Sequence, residues 1–355
     1  MYMQLGWQHG QISGLWDHAM ADVTDAKTNS ITSIIAASSF PMDFQTQKAK
    51  LPSTITTVVF DIGARDSDYL YALEDSEDPS VALFLFDPLP DSNIPLSKRV
   101  AEYAMRDIQN NEDDDNGEHK QMDVVKSRQV FLAKVAVGER EGMANFNIAR
   151  GAACSSILKT SDKNEFWCAD VKETIQVPLV TLGGLLRLIP DQEDELETKH
   201  DEDESEDESE SESEASVSSS SVEQLHIKID AEGADLAVLK GGGDFIHRAQ
   251  TIIIECNADA IQKTTKFRNG ECVQSDAIQY MEEEQHFQTF VVESQGNLVN
   301  IMFVNPEYHG PLPKFLLHED LEFHAFYRKL MTQRGWKNAA VTTGEEDEES
   351  DEEEE

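Results

Sequence analysis

The chain has 355 residues, enough for one large domain or two small ones with a sizeable core. Its 69 acidic side chains against 29 basic ones give a formal net charge of −40. That balance leaves no basic stripe to neutralise phosphates, so nucleic acid is excluded as a partner.

Residues 1–52 form an N-terminal extension with mixed signals, in which SITSIIAASSF reads as a short helix capped by Asn29 or Ser30. TTVVFDIG then reads as a buried strand ending in a tight turn, and VALFLFDP as a second buried strand stopped by Asp87-Pro88. Between them DSDYLYALED has helical spacing, and PLSKRVAEYAMRDIQ predicts a further amphipathic helix. NNEDDDNGEHKQ is a polar loop. VFLAKVAVG predicts a third strand and GMANFNIA a fourth, while IQVPLVTLGGLLRLI carries a strand into a short helix. Residues 191–221, with fifteen acidic residues and one lysine, cannot bury apolar surface and are expected to be disordered. LHIKIDAEGADLAVLKGGGDFI resumes with a strand, a turn and a helix, and TIIIECN is an apolar strand. A helix around SDAIQYMEEEQ precedes a hairpin, FQTFVVES-QGN-LVNIMFVN. HEDLEFHAFYRKLMTQRGW predicts the last helix, and a tail follows in which residues 345–355 hold ten acidic residues and one serine.

Strands that are near-continuous apolar runs, alternating with helices, predict a doubly wound α/β domain with a mostly parallel sheet and an antiparallel edge hairpin. Ligands bind such sheets at the carboxyl ends of the strands, at the topological switch point. The expected organisation is an extension over 1–52, a domain over 53–310 interrupted by the 191–221 insertion, a C-terminal helix within 311–340, and a tail over 341–355. Cys154, Cys168, Cys256 and Cys272 lie too far apart for a zinc site, so no metal is expected. The first residues lack the pattern of a signal peptide, and no apolar run reaches the roughly 20 residues that span a bilayer. A soluble, intracellular, cytoplasmic protein is the default expectation. The acidic tracts suit a basic protein partner, and ESEDESESESE offers serines of the kind acidophilic kinases modify.

Four constellations carry chemistry. Asp61-Ile62-Gly63-Ala64-Arg65 closes the first strand, where a glycine lets the backbone approach a ligand and the following helix offers free N–H groups; a plain strand-to-helix turn reads the same way. Asp87 closes the second strand, where a carboxylate can accept from both hydroxyls of a ribose, or simply make a turn. Asp230 and Glu232, in Lys228-Ile-Asp-Ala-Glu-Gly-Ala234, place two carboxylates at another strand end. There they could orient a substrate or take a hydroxyl proton, or else Asp230 caps the next helix with Glu232 favoured by its dipole. Gly151-Ala-Ala-Cys-Ser155-Ser156-Ile157 is a small-residue loop able to close over a ligand.

At these residues the chain resembles the FkbM-type methyltransferase family. The matching pieces are VVFDIGA, LFLFDP, VFLAKVAVGEREGMANFNI, CSSIL, VPLVTLGGLL, LHIKIDAEGADLAVLKGG and TIIIECN, in the family's order over roughly residues 54–305. The resemblance implies a seven-stranded class I methyltransferase (Rossmann-like) fold, S-adenosylmethionine as methyl donor, and a hydroxyl on a small molecule or glycan as acceptor. On it, Asp61 and Gly63 line the methionine end of the cofactor and Arg65 either pairs with its carboxylate or fills the pocket. Asp87 holds the ribose, Ser155 and Ser156 lie near the adenosine or the cleft, and Asp230 and Glu232 face the acceptor. The chain departs from the family in having Arg65 for an asparagine, Ser67 for a glycine, and Gly183-Gly184 for an acidic pair. Those departures keep a second reading in view, a binding protein on the same fold that has lost transfer. A nicotinamide enzyme is disfavoured because Asp61-x-Gly63 lacks the G-x-x-G that should follow.

Overall fold

The computed structural model describes residues 42–43, 48–49, 51–76, 78–90, 96–110, 129–151, 154–159, 170–190, 222–262 and 271–335. The expected N-terminal helix, most of the polar loop after residue 110 and both acidic tracts lie outside the described residues.

A two-residue ladder, β1 (Met42–Asp43) with β2 (Lys48–Ala49), precedes the main body. The expected strands follow as β3 (Thr57–Ile62) and β4 (Val81–Phe86), every residue of both buried. Helix α1 (Asp68–Ser76) lies between them, burying Tyr69, Leu70, Ala72 and Leu73, and α2 (Leu96–Asn110) follows β4. VFLAKVAVG does not form one strand. It divides into β5 (Gln129–Ala133) and β6 (Ala136–Gly138). β5 completes one sheet beside β4 and β6 joins another beside β8. Lys134 marks the break, its Nζ donating to the carbonyl of Leu89 at 3.0 Å. β7 (Gly142–Ala149) and β8 (Val171–Thr181) complete that second, three-stranded sheet, ordered β6-β8-β7.

After β8 come α3 (Leu182–Leu188), β9 (Gln224–Ile229), α4 (Asp235–Lys240), β10 (Thr251–Asn257), the one-turn α5 (Asp259–Gln262) and α6 (Gln274–Gln279). The expected hairpin is β11 (Gln288–Gln295) with β12 (Leu298–Val304). Helix α7 (His324–Arg334) ends at Gly335 in the left-handed conformation. It begins six residues later than expected. Over 318–323 the backbone turns instead, with the N–H of Asp320 bonded to His318 Nδ1 and that of Leu321 to the His318 carbonyl. The turns bury Leu321 and Phe323.

The large sheet is mixed and mostly parallel, seven strands in the order β11-β12-β10-β9-β3-β4-β5. β10, β9, β3, β4 and β5 run parallel, and β12 runs antiparallel to β10 and β11. Alternate residues feed two cores: Phe60, Ile62, Phe84, Phe86, Ile227 and Ile229 face one side, Val59, Leu83, Leu85 and Ile253 the other. Burial on both faces explains why these strands read as unbroken apolar runs. The sequence reversal between β9 and β4 around the central β3 is the switch point, and it opens a crevice at the carboxyl ends of the strands.

Candidate active site

In-register pairing fixes the crevice. Ile62 on β3 is level with Phe86 on β4 and Ile229 on β9, so Gly63, Asp87 and Asp230 emerge side by side. Backbone bonds carry the ladder one step further: Gly63 N–H to the Phe86 carbonyl at 2.8 Å and Asp230 N–H to the Ile62 carbonyl at 2.9 Å. Gly63 has φ +79°, and a Cβ there would lie 1.8 Å from the Asp230 carbonyl oxygen. Glycine is therefore required by the neighbouring chain, rather than by a ligand.

A hollow open to solvent lies above these strand ends. Of the residues singled out in the sequence, Gly63, Arg65, Asp87, Ser155, Asp230 and Glu232 line it. Arg65 is part of the wall and leaves the hollow open; its Nε lies 3.7 Å from Asp66. Apolar walls come from Val135, Val137, Phe146 and Ile157; of these only Ile157, in the small-residue loop, belonged to a segment singled out for chemistry in the sequence. The signal for Phe146 was the alternation along GMANFNIA.

Asp61 and Ser156 are not in the wall. Ser156 is buried in the loop, its Oγ accepting from the Leu158 N–H at 3.1 Å and its backbone paired with Asn147. Ser155 Oγ accepts from the Ala149 N–H at 3.1 Å, pinning the loop to β7. Asp61 is fully buried. Its Oδ2 accepts from Ser67 Oγ at 2.7 Å, and its Oδ1 lies 3.3 Å from Lys228 Nζ as an ion pair without hydrogen-bond alignment. Ser67 sits at φ 33°, which explains a preference for glycine there. Here its hydroxyl both holds Asp61 and accepts from the Leu70 N–H at 3.2 Å, capping α1.

Electrostatics follow from burial. Desolvation raises the Asp61 carboxyl above its ordinary value, against the pull of Lys228 and Ser67. Burial disfavours the Lys228 ammonium, but Asp61 and then Asp230 outweigh it, so its pKa rises and it stays charged. Lys228 also lies 3.4 Å from Asp230 Oδ2. The Asp230 carboxylate thus pairs with lysine and is no helix cap: α4 has no side-chain cap, and buried Asp235 accepts from Gly233 N–H at 3.2 Å. Between these residues the backbone turns sharply, with Glu232 at φ 52° and Gly233 at φ 90°. Asp87 accepts from the Leu89 N–H at 2.7 Å, and burial pushes its carboxyl up to about 6.

Gly183-Gly184, standing where an acidic pair was expected, opens α3. A Cβ on Gly183 would lie 2.6 Å from the Gly242 carbonyl oxygen, so two backbones touch where a carboxylate would have to fit. Thr181 Oγ1 caps the helix by accepting from the Gly184 N–H at 3.1 Å. A disulfide joins Cys256, the residue before the last of β10, to Cys272, and Cys154 is disulfide-bonded as well. The Cys272 N–H donates to the Gly233 carbonyl at 2.8 Å, tying that bridge to the turn that carries Glu232.

Fold and site together define an α/β domain with an open hollow at the switch point of a mostly parallel sheet. The family model described as Methyltransferase FkbM domain matches residues 61–291. The chain belongs to the FkbM methyltransferase family. Comparison with curated proteins finds no match, and comparison with solved structures finds none either. Among the described residues, no helix is long and apolar enough to cross a membrane.

Proposed function

We propose that the hollow binds S-adenosylmethionine and that the protein transfers its methyl group to a hydroxyl of a small molecule or glycan. The observation that carries the reading is Asp87: a buried carboxylate at the end of β4, set in the wall beside an apolar slot, with one oxygen committed to Leu89. That donor set suits a nucleoside, with a carboxylate for the ribose hydroxyls and Val135, Val137, Phe146 and Ile157 for a flat base. When bound, the sulfonium supplies an electrophilic methyl group.

The residues do the positioning. Arg65, at the mouth, is placed to pair with the carboxylate of the donor's methionine end. Ser155 holds the loop over the slot. Lys228 fixes Asp230, and Asp230 with Glu232 frames the acceptor side, where close and collinear placement of a hydroxyl supplies much of the rate. Arg65 leaves the hollow open, which supports the enzyme over a binding protein without transfer, and Gly183 meets the Gly242 backbone where the family has an acidic residue.

Disulfides persist in oxidising compartments. The buried Cys256–Cys272 bridge and the bonded Cys154 therefore favour a secretory or extracytoplasmic setting over the cytoplasm expected from the sequence. A glycan acceptor suits that setting.

Titration calorimetry of the full chain with S-adenosylmethionine tests the donor reading. Saturable heat at one site is expected. No heat from a protein whose circular dichroism shows it folded would sink it.

A further inference from the structure

The sheet face that carries Asp61 and Lys228 continues, strand by strand, into a second polar pair. Glu255 on β10 stands directly opposite Asn300 on β12, and opposed residues of an antiparallel ladder project from the same face. The neighbouring pair on that face, Ile253 and Met302, packs in the core beside α1 and α7, whereas Ile254 and Ile301 pack on the other side. Asp61, Lys228, Glu255 and Asn300 thus form a stepped polar row across β3, β9, β10 and β12: Lys228 is level with Ile253, and Glu255 lies two residues further along β10.

Two members of the row are incompletely satisfied. Asn300 is 2 % exposed, and its Oδ1 accepts no hydrogen bond. Glu255 is partly buried, and among the described residues no donor serves its carboxylate. A buried amide oxygen without a donor is costly, and a protonated carboxyl beside it would provide one. Asp230 is differently placed, since its oxygen is already paired with Lys228 at 3.4 Å.

We propose that Glu255 takes the proton of the acceptor hydroxyl during methyl transfer, and that Asn300 Oδ1 receives the hydrogen bond of the resulting carboxylic acid. The inference rests on the methyl-transfer reading above. The O–H bond breaks and its proton passes to the Glu255 carboxylate. The hydroxyl oxygen forms the new C–O bond, and the electrons of the broken C–S bond stay on sulfur, leaving a neutral thioether.

The groups facing Glu255 suit the task. Asp230 beyond β9, Glu322 before α7 and Asp235 on α4 are acidic, and among the described residues Lys228 is the cation that acts on it. Burial, followed by Asp230 and Glu322, pushes the Glu255 carboxyl up to about 7, near the optimum for a base working at neutral pH.

The test uses the full chain labelled with [δ-¹³C]glutamate, as wild type and as Glu255→Gln, with calorimetry against S-adenosylmethionine and transfer of labelled methyl to a panel of methyl glycosides and phenols. The expected result is one glutamate resonance titrating near neutrality that disappears in Glu255→Gln. Donor affinity should stay within about twofold, and transfer should fall by about 100-fold or more with loss of the acidic limb of the pH profile. Titration of Glu255 below pH 5 overturns the proposal, whether or not the panel contains an acceptor. So does Glu255→Gln transferring at the wild-type rate. Failure of the wild type to bind the donor would instead strike the methyl-transfer reading itself.

Discussion

Lys228 and Asp61, level with each other on adjacent parallel strands, form a buried ion pair at 3.3 Å beneath the cleft. The pair connects the first strand's motif to the hallmark segment of β9. It holds Asp61 in the core, away from the wall of the hollow.

Lys228→Met should therefore be severe. It strands the Asp61 carboxylate in the core, and breaking a buried pair on one side costs about 3–5 kcal/mol. Urea unfolding should show that loss. The double variant Asp61→Asn/Lys228→Met should recover part of it, because no charge is then left unpaired.

Gly63→Ala should destabilise beyond the roughly 1–3 kcal/mol of left-handed strain alone, because its Cβ would meet the Asp230 carbonyl oxygen at 1.8 Å. Thermal unfolding is the measurement. A melting temperature equal to wild type would mean that β3 and β9 are less closely apposed than described.

Asp87→Asn retains an oxygen for the Leu89 N–H but loses the charge offered to a ribose. Affinity for S-adenosylmethionine should fall about 10–100-fold, the value of a charge-assisted hydrogen bond. The melting temperature at pH 7.5 should not drop, since burial already disfavours the ionised form.

One partly buried group and one buried group should tilt stability with pH in opposite senses. Glu255 titrates at an ordinary 4.5 when unfolded and at about 7 when folded. The folded state therefore holds the extra proton between those values, and this contribution to stability is lost as pH rises through the window. His226 is driven down to about 3 by burial from an ordinary 6.5, so the unfolded state holds the extra proton and stability is lost as pH falls from 6.5 toward 3. Glu255→Gln should flatten the loss on the alkaline side, and His226→Gln the loss on the acid side. Chemical denaturation from pH 4 to 8 resolves the two slopes.

Cys256 and Cys272 are 16 residues apart, so the bridge constrains the unfolded chain by about 3 kcal/mol. The Cys256→Ser/Cys272→Ser variant should melt about 6–12 °C lower, on the scaling for domains of 150–250 residues. Its donor affinity should change little, because the bridge ties down the turn that carries Glu232 after β9, and Asp87 lies on the other side of β3.

The central strands β3 and β4 were legible because each is buried on both faces, which leaves a nearly continuous apolar run in the sequence. The ends of three of them were legible as well: Asp61-x-Gly63, Asp87 and Asp230-x-Glu232 carry recognisable local chemistry, and adjacency in the sheet brings them together. The division of VFLAKVAVG between two sheets was not, since an apolar run records burial but not the partner strand. The start of α7 escaped for a similar reason, because 318–323 has helical spacing while its backbone bonds are made in turns.

Pairings across the sheet had no local signal at all. Nothing in the sequence links Asp61 to Lys228, Glu255 to Asn300, or Gly183 to Gly242, because each pair is joined through space by strand order, register or packing. The amino-acid sequence alone determined the class of fold, the family and the strand ends at which chemistry would gather, since these depend on patterns a few residues long. Only the tertiary structure decided which carboxylates are committed and which, among the described residues, has no donor, because that depends on burial and on neighbours as far apart in the chain as Asp61 and Lys228.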